Sequence, residues 1–155
     1  MSRAFTKEID DAPPPPLDAR PVSDAQNFVT PRGAELIEAE MDRLTAALAA
    51  ASGDEVATLR RDLRYWSARR QSMQVITTSA APIAVGFGTV VELKRGGNAV
   101  RLKIVGEDEA DPADGLIAWT SPLAQALDGA EAGELIAFEA GGRTERIEVL
   151  SVAGA

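Results

Sequence analysis

The sequence predicts an α+β chain: an N-terminal antiparallel helical hairpin, in effect a short coiled coil, followed by a small antiparallel β-sheet domain with one short helix. Three observations predict it. Ala34, Ile37, Met41, Leu44, Leu48 and Ala51 step by alternating threes and fours, and so do Val56, Leu59, Leu63, Trp66, Arg70 and Met73. That is the spacing of a coiled-coil seam. Paired in reverse order, the position numbers of every pair add to 107, as they must if two helices fold back on each other around Gly53-Asp54. Beyond residue 84 the apolar period changes from 3.6 to 2, the period of strands.

Each element follows from local chemistry. Residues 1–28 hold Pro13 to Pro16, Pro21 and many small or charged residues, and read as an extended or disordered tail. Thr30-Pro31 opens the first helix, with threonine as N-cap and proline at the first helical position. Glu35, Glu38 and Glu40 in the early turns suit the helix dipole. This helix runs to about Ala51. Ser52-Gly53 break it, Ser52 or Asp54 is placed to cap the second helix, and that helix runs to about Val75. The hairpin unit is thus 29–76, and 77–84, with Pro82, reads as a linker. In the unit 85–155, Thr89–Lys94 and Ala99–Val105 alternate around a Gly96-Gly97-Asn98 turn, and Leu116–Trp119 is a third strand. Ser121-Pro122 starts a short helix through Leu127, and Glu134–Glu139 with Arg143–Val149 form a last hairpin across Gly141-Gly142.

Composition narrows the chemistry. The 155 residues contain no cysteine and no histidine, which removes disulfides, thiolate nucleophiles, Ser-His triads and His-ligated zinc. A metal would need carboxylate ligands, which suits magnesium or calcium. No apolar run approaches a membrane span, and Met1-Ser2-Arg3-Ala4-Phe5 does not read as a signal peptide, so a cytoplasmic chain is expected. The net charge is −8, with 3 bases and 5 acids in residues 1–30, 7 and 7 in 31–75, and 6 and 12 in 76–155. That balance argues against a broad basic face for duplex DNA. Action on nucleic acid is expected only indirectly, through another protein.

Several residues admit two readings. Asp54 and Glu55 at the turn serve as helix caps and dipole partners, or as metal ligands; adjacent helical side chains diverge by about 100°, so they converge poorly on one ion. Arg60, Arg61 and Arg64, with Arg69 and Arg70, form a basic flank on the second helix. They face either RNA or an acidic wall of a partner, or else solvent, with pairs such as Glu40–Arg69. Arg70 sits on the seam, where its stem would cover Ile37 while the guanidinium reaches water. Trp66 and Tyr65 read as structural. The run Glu107-Asp108-Glu109-Ala110-Asp111-Pro112-Ala113-Asp114-Gly115 lacks the alternate acids, sixth-position glycine and late glutamate of an EF-hand, and reads as a solvated loop. Trp119 is either core or an exposed docking aromatic.

Four stretches carry a family resemblance. Ser2-Arg3-Ala4-Phe5-Thr6-Lys7-Glu8 resembles the start of many GreB-like proteins, and Asn27-Phe28-Val29-Thr30-Pro31-Arg32-Gly33 the start of the Gre coiled coil. Residues 104–111 and Ile117 to Leu127 resemble the family's C-terminal signature. The chain is identified as resembling a GreA/GreB-family transcription elongation factor over nearly its whole length. The resemblance implies an FKBP-like C-terminal domain that docks beside the secondary channel of bacterial RNA polymerase, and a hairpin that enters the channel. It implies a monomer with no membrane partner. It also implies no enzyme activity of its own: acids at the hairpin tip support a magnesium ion shared with the polymerase active site, and no cofactor is held stably.

The match differs along the chain. Ser121-Pro122 match the family's docking step, while Thr120 stands where an acid is common and Gln125 where arginine is usual; Trp119 adjoins them. At the tip the family places Asp and Glu three residues apart, whereas Asp54 and Glu55 are adjacent. By alignment each arm lacks about three turns, so the finger falls short by roughly 15–18 Å. Docking with weak or no cleavage stimulation is therefore expected. An alternative is a Rnk-type regulator, with the same C-terminal domain, a short coiled coil and no cleavage activity. A stand-alone prolyl isomerase is a third and weaker reading, because the C-terminal unit offers only Phe87, Trp119 and Phe138 to line a pocket.

Overall fold

The computed structural model describes residues 17–155; the first sixteen residues of the expected tail lie outside them. A two-residue strand, β1 (Phe28–Val29), leads into α1 (Pro31–Ala50). The Thr30 side chain accepts from the Gly33 N–H and Pro31 fills the first helical position, as the sequence requires. The chain turns at Gly53, where φ is +67°, a backbone angle that favours glycine. It then enters α2 (Glu55–Ser72).

The seam holds. Ile37 and Leu44 are fully buried, and of the twelve seam positions only Arg70 is exposed. Arg70 reaches out to Glu38 on the other arm at 3.0 Å, close to the level that the register assigns it. Two details at the ends of α2 differ from expectation. Asp54 makes no side-chain cap bond, because its own backbone is already helical (φ −67°, ψ −24°) rather than in the extended conformation of a capping residue. The helix also stops at Ser72, three residues before Val75. Gln74–Val75 form β2, which pairs in parallel with β1. The Gln74 and Ile76 amides donate to the Asn27 and Val29 carbonyls at 2.8 and 2.9 Å, so these backbone groups gain partners outside the helix.

After the 77–84 segment come β3 (Val90–Arg95), β4 (Asn98–Val105), β5 (Leu116–Ala118), α3 (Pro122–Leu127), β6 (Leu135–Ala140) and β7 (Arg143–Ala153). The strands form one sheet in the order β5-β4-β3-β7-β6. Both Gly-Gly dipeptides make the tight hairpin turns expected of them. The sheet is not wholly antiparallel: β4 and β5 run parallel, because the 106–115 segment crosses back to the start of β4's neighbour. One face of the sheet wraps α3, around Val91, Leu93, Ile104, Ile147, Val149 and Leu127. This curled, antiparallel-rich sheet around a single helix fits an FKBP-like domain. No helix among the described residues is long and apolar enough to cross a membrane.

Candidate functional site

The residues singled out from sequence fall into three places. Asp54 and Glu55 stand at the free end of the hairpin, exposed. No group of three or more Asp, Glu, His or Cys side chains suited to a metal occurs among the described residues. Arg60 and Arg64 share one face of α2 and both line a shallow groove on it. Arg61 points away from them and bonds Asp62 at 3.0 Å.

The third place is the start of α3, where Trp119, Thr120, Ser121, Pro122 and Gln125 come together. Ser121 caps α3 by accepting from the Ala124 amide at 3.3 Å, and Pro122 takes the first helical position and is exposed. Gln125 donates to the Trp119 carbonyl at 2.6 Å. Thr120 donates to Glu107 at 3.0 Å. Trp119 is half-buried, packed on the core and 5.0 Å from the Phe28 ring. Its indole N–H is buried and finds no acceptor among the described residues. Phe28, Phe87 and Trp119 together border a cavity of about 270 Å3; Phe138 packs on the sheet core instead.

What joins the hairpin to the sheet domain was not expected. The acidic run is a solvated loop only in its second half: Asp111 to Asp114 are exposed, but Asp108 and Glu109 are turned inward onto the hairpin base. Arg69, 1% exposed, donates through Nε to Asp108 at 2.5 Å and through a terminal nitrogen to Asn27 at 2.7 Å. Its second terminal contact, to Glu107, is 3.5 Å. Arg69 therefore does not pair with Glu40, which is held by Arg43 on its own helix at 2.6 Å. Tyr65 donates its hydroxyl to the other Asp108 oxygen at 2.5 Å. Burial, and then that bond to a carboxylate, pushes the Tyr65 phenol up to about 12. Asn27 donates to the Arg69 carbonyl at 2.8 Å. On the α1 side, Thr30 donates to the buried Glu109 at 2.5 Å while still capping its helix, and Arg32 lies 3.6 Å from the carboxylate's second oxygen.

Two glycines permit this approach. A Cβ at Gly33 would meet the Glu109 carboxylate at 2.9 Å, and one at Gly106 would come within 2.4 Å of the Phe28 carbonyl. The acids at 107–109 follow directly on the buried end of β4, and that position is the one local sign that they are not free in solvent.

Comparison with known proteins decides the family. The profile "Transcription elongation factor, GreA/GreB, C-term" matches residues 81–153. The transcription elongation factor GreA of Alkalilimnicola ehrlichii is 34% identical over 150 residues, covering 80% of this chain and 95% of that protein. The chain belongs to the GreA/GreB family. The elongation factor GreB of Xanthomonas axonopodis pv. citri is 33% identical over 132 residues, with 69% of this chain and 79% of that protein covered. Among solved structures, GreA factor homolog 1 of Thermus thermophilus is similar at 20% identity and a TM-score of 0.41, over 84% of this chain and all of the other. As a member of the GreA/GreB family the chain is a Gre-type transcription factor.

Proposed function

We propose that this Gre-type factor binds bacterial RNA polymerase at the secondary channel and modulates elongation or backtracked complexes while adding little transcript cleavage. Residues 85–155 are the docking unit, with Trp119, Thr120, Ser121, Pro122 and Gln125 on the contact face. The 29–76 hairpin is the finger, and Arg60, Arg61 and Arg64 are its basic flank. Nucleic acid is met only inside the polymerase complex.

The length of the finger carries this reading. Helices of 20 and 18 residues extend only about 27–30 Å. The 150 positions aligned with the Alkalilimnicola GreA take up 80% of this chain, about 124 of its 155 residues, so roughly 26 positions of that protein have no counterpart here. Loss of about three turns from each arm would remove roughly 22 residues, a number that matches most of them. A second magnesium ion assists phosphoryl chemistry only about 3.5–4 Å from the first, and a finger missing that much length does not bring its acids there. Asp54 and Glu55 are adjacent, and side chains one residue apart on a helix diverge by about 100°, so they converge poorly on one ion.

Transcript cleavage in backtracked polymerase complexes tests the proposal. The wild type should compete with a full-length GreA for the channel yet release few cleavage products. Robust cleavage, abolished by Asp54→Ala with Glu55→Ala, would overturn it. The short hairpin also supports a Rnk-type regulator, which would bind polymerase or another enzyme without stimulating cleavage.

A further inference from the structure

The turn that follows β4 is fixed along its backbone. A Cβ at Gly106 would come within 2.4 Å of the Phe28 carbonyl, so the chain there lies directly against β1. Asp108 and Glu109 bond the hairpin base. Glu107, between them, keeps the freedom of its own side-chain torsions, and its carboxylate stands among three parts of the molecule. One oxygen accepts from the Thr120 hydroxyl at 3.0 Å and from the Ser23 hydroxyl at 3.1 Å. The other faces a terminal nitrogen of Arg69 at 3.5 Å.

That last contact is the slack one. Arg69 grips Asp108 through Nε at 2.5 Å, and the same terminal nitrogen donates to Asn27 at 2.7 Å. A terminal NH2 carries two hydrogens, one for each neighbour. Charge-assisted bonds close to about 2.7–2.9 Å, so Glu107 stops about 0.6–0.8 Å short of a bond that the two charges favour. What holds it back is on its other oxygen: two hydroxyls, one of them from the residue next to the Ser121 cap of α3.

We propose that Glu107 is a two-position latch between the start of α3 and the hairpin base. With Thr120 and Ser23 on it, the carboxylate stays off Arg69. Released from either hydroxyl, it closes on the guanidinium and stiffens the base of the hairpin. A partner that draws the Thr120 hydroxyl to itself therefore closes the latch, and docking at the sheet domain tightens the hairpin. Coupling of this kind is reciprocal, so the closed position also favours the partner. Glu107 is in this sense a positioning residue. The partner step rests on the polymerase reading; the latch itself does not.

Rotation of the Arg69 guanidinium about its Nε–Cζ bond, followed by NMR in the full chain without a partner, reads the latch directly. Thr120→Val and Ser23→Ala each remove one hydroxyl and should slow that rotation about threefold, within the range of coupling between side chains of one network. In a Glu107→Gln background, which removes the charge that draws Arg69, neither should change it. A carboxylate held only for stability gives the reverse, because losing a hydroxyl then loosens Glu107 and speeds the rotation. Faster or unchanged rotation in either hydroxyl variant, or equal slowing in the Glu107→Gln background, overturns the proposal. On the partner side, Ser23→Ala should tighten binding to core RNA polymerase about twofold to threefold, and only while Glu107 is present. Unchanged or weaker binding overturns the link to docking. Failure of the wild type to bind polymerase counts against the polymerase reading alone, since the rotation measurement needs no partner.

Discussion

The two ends of α2 are built in opposite ways. At the tip, Gly53, Asp54 and Glu55 are exposed, the helix starts without a side-chain cap, and no atom of the described residues lies within 4 Å of the space a Gly53 side chain would fill. At the base, one turn of the same helix buries an arginine against two acids, an asparagine and a backbone strand. The tip is held only by the helices behind it, while the base fixes the direction in which the hairpin leaves the sheet domain. The side-chain bonding that orients the hairpin is therefore concentrated at the base, where Glu107, Asp108 and Glu109 of the sheet domain meet it.

The largest test of that contrast is Arg69→Ala. Removing it leaves Asp108 and Asn27 facing a buried gap, and breaking one partner of a buried ion pair costs about 3–5 kcal/mol. Urea unfolding should show a loss of that size. A change under about 1 kcal/mol would mean that the base is wet and that the clamp does not orient the hairpin.

Leu44→Ala comes next. Leu44 is 1% exposed in the middle of the seam, so its truncation should cost about 2–4 kcal/mol. Leu63→Ala, half-buried beside the α2 groove, should cost less. If the two are equal, the seam is more symmetric than its burial indicates.

Tyr65 offers a sharper probe, because it is the one tyrosine in the chain. Its folded phenol titrates at about 12, against 10 for the unfolded group. A raised folded value stabilises the fold fully below pH 10, and the contribution disappears as pH rises from 10 to 12. Absorbance at 295 nm should give a midpoint well above 10 in buffer and near 10 in urea. Tyr65→Phe should destabilise by about 1–2 kcal/mol at pH 8, with the difference from wild type vanishing towards pH 12. A folded midpoint near 10 would release Asp108 from the contact.

These residues also mark the limit of what sequence reading could reach. The hairpin was legible because its signals are local: a repeated three-four step, Thr30-Pro31 at one end and Ser52-Gly53 at the turn. The same holds for the strands on either side of Gly96-Gly97 and Gly141-Gly142 and for the Ser121 cap. The base was not legible, because its bonds join residues 39 to 79 positions apart, and polar pairs leave no periodic trace. Arg69 stands beside the seam rather than on it, so an Arg–Glu pair along the hairpin looked as reasonable as the clamp to Asp108. The β1–β2 ladder is two residues long, too short for an alternation to register, and so Gln74-Val75 read as the end of a helix.

The smallest expected effect is at the tip, and it completes the contrast. Asp54→Ala with Glu55→Ala removes two exposed carboxylates that make no cap bond and no ion pair among the described residues. What they retain is the attraction of acids for a helix N-terminus, which salt screens and which is worth about 0.3–1 kcal/mol at most for each. Surface changes of this kind usually stay within about 0.5 kcal/mol, so the melting temperature should barely move, and less still at 0.5 M salt. The same variant in a polymerase-binding assay should retain wild-type affinity, whereas Pro122→Arg, on the exposed first position of α3, should weaken binding at least tenfold, about 1.4 kcal/mol. If the tip variant loses affinity while Pro122→Arg does not, the roles of the two ends are exchanged: the finger would be the anchor and the sheet domain only its handle.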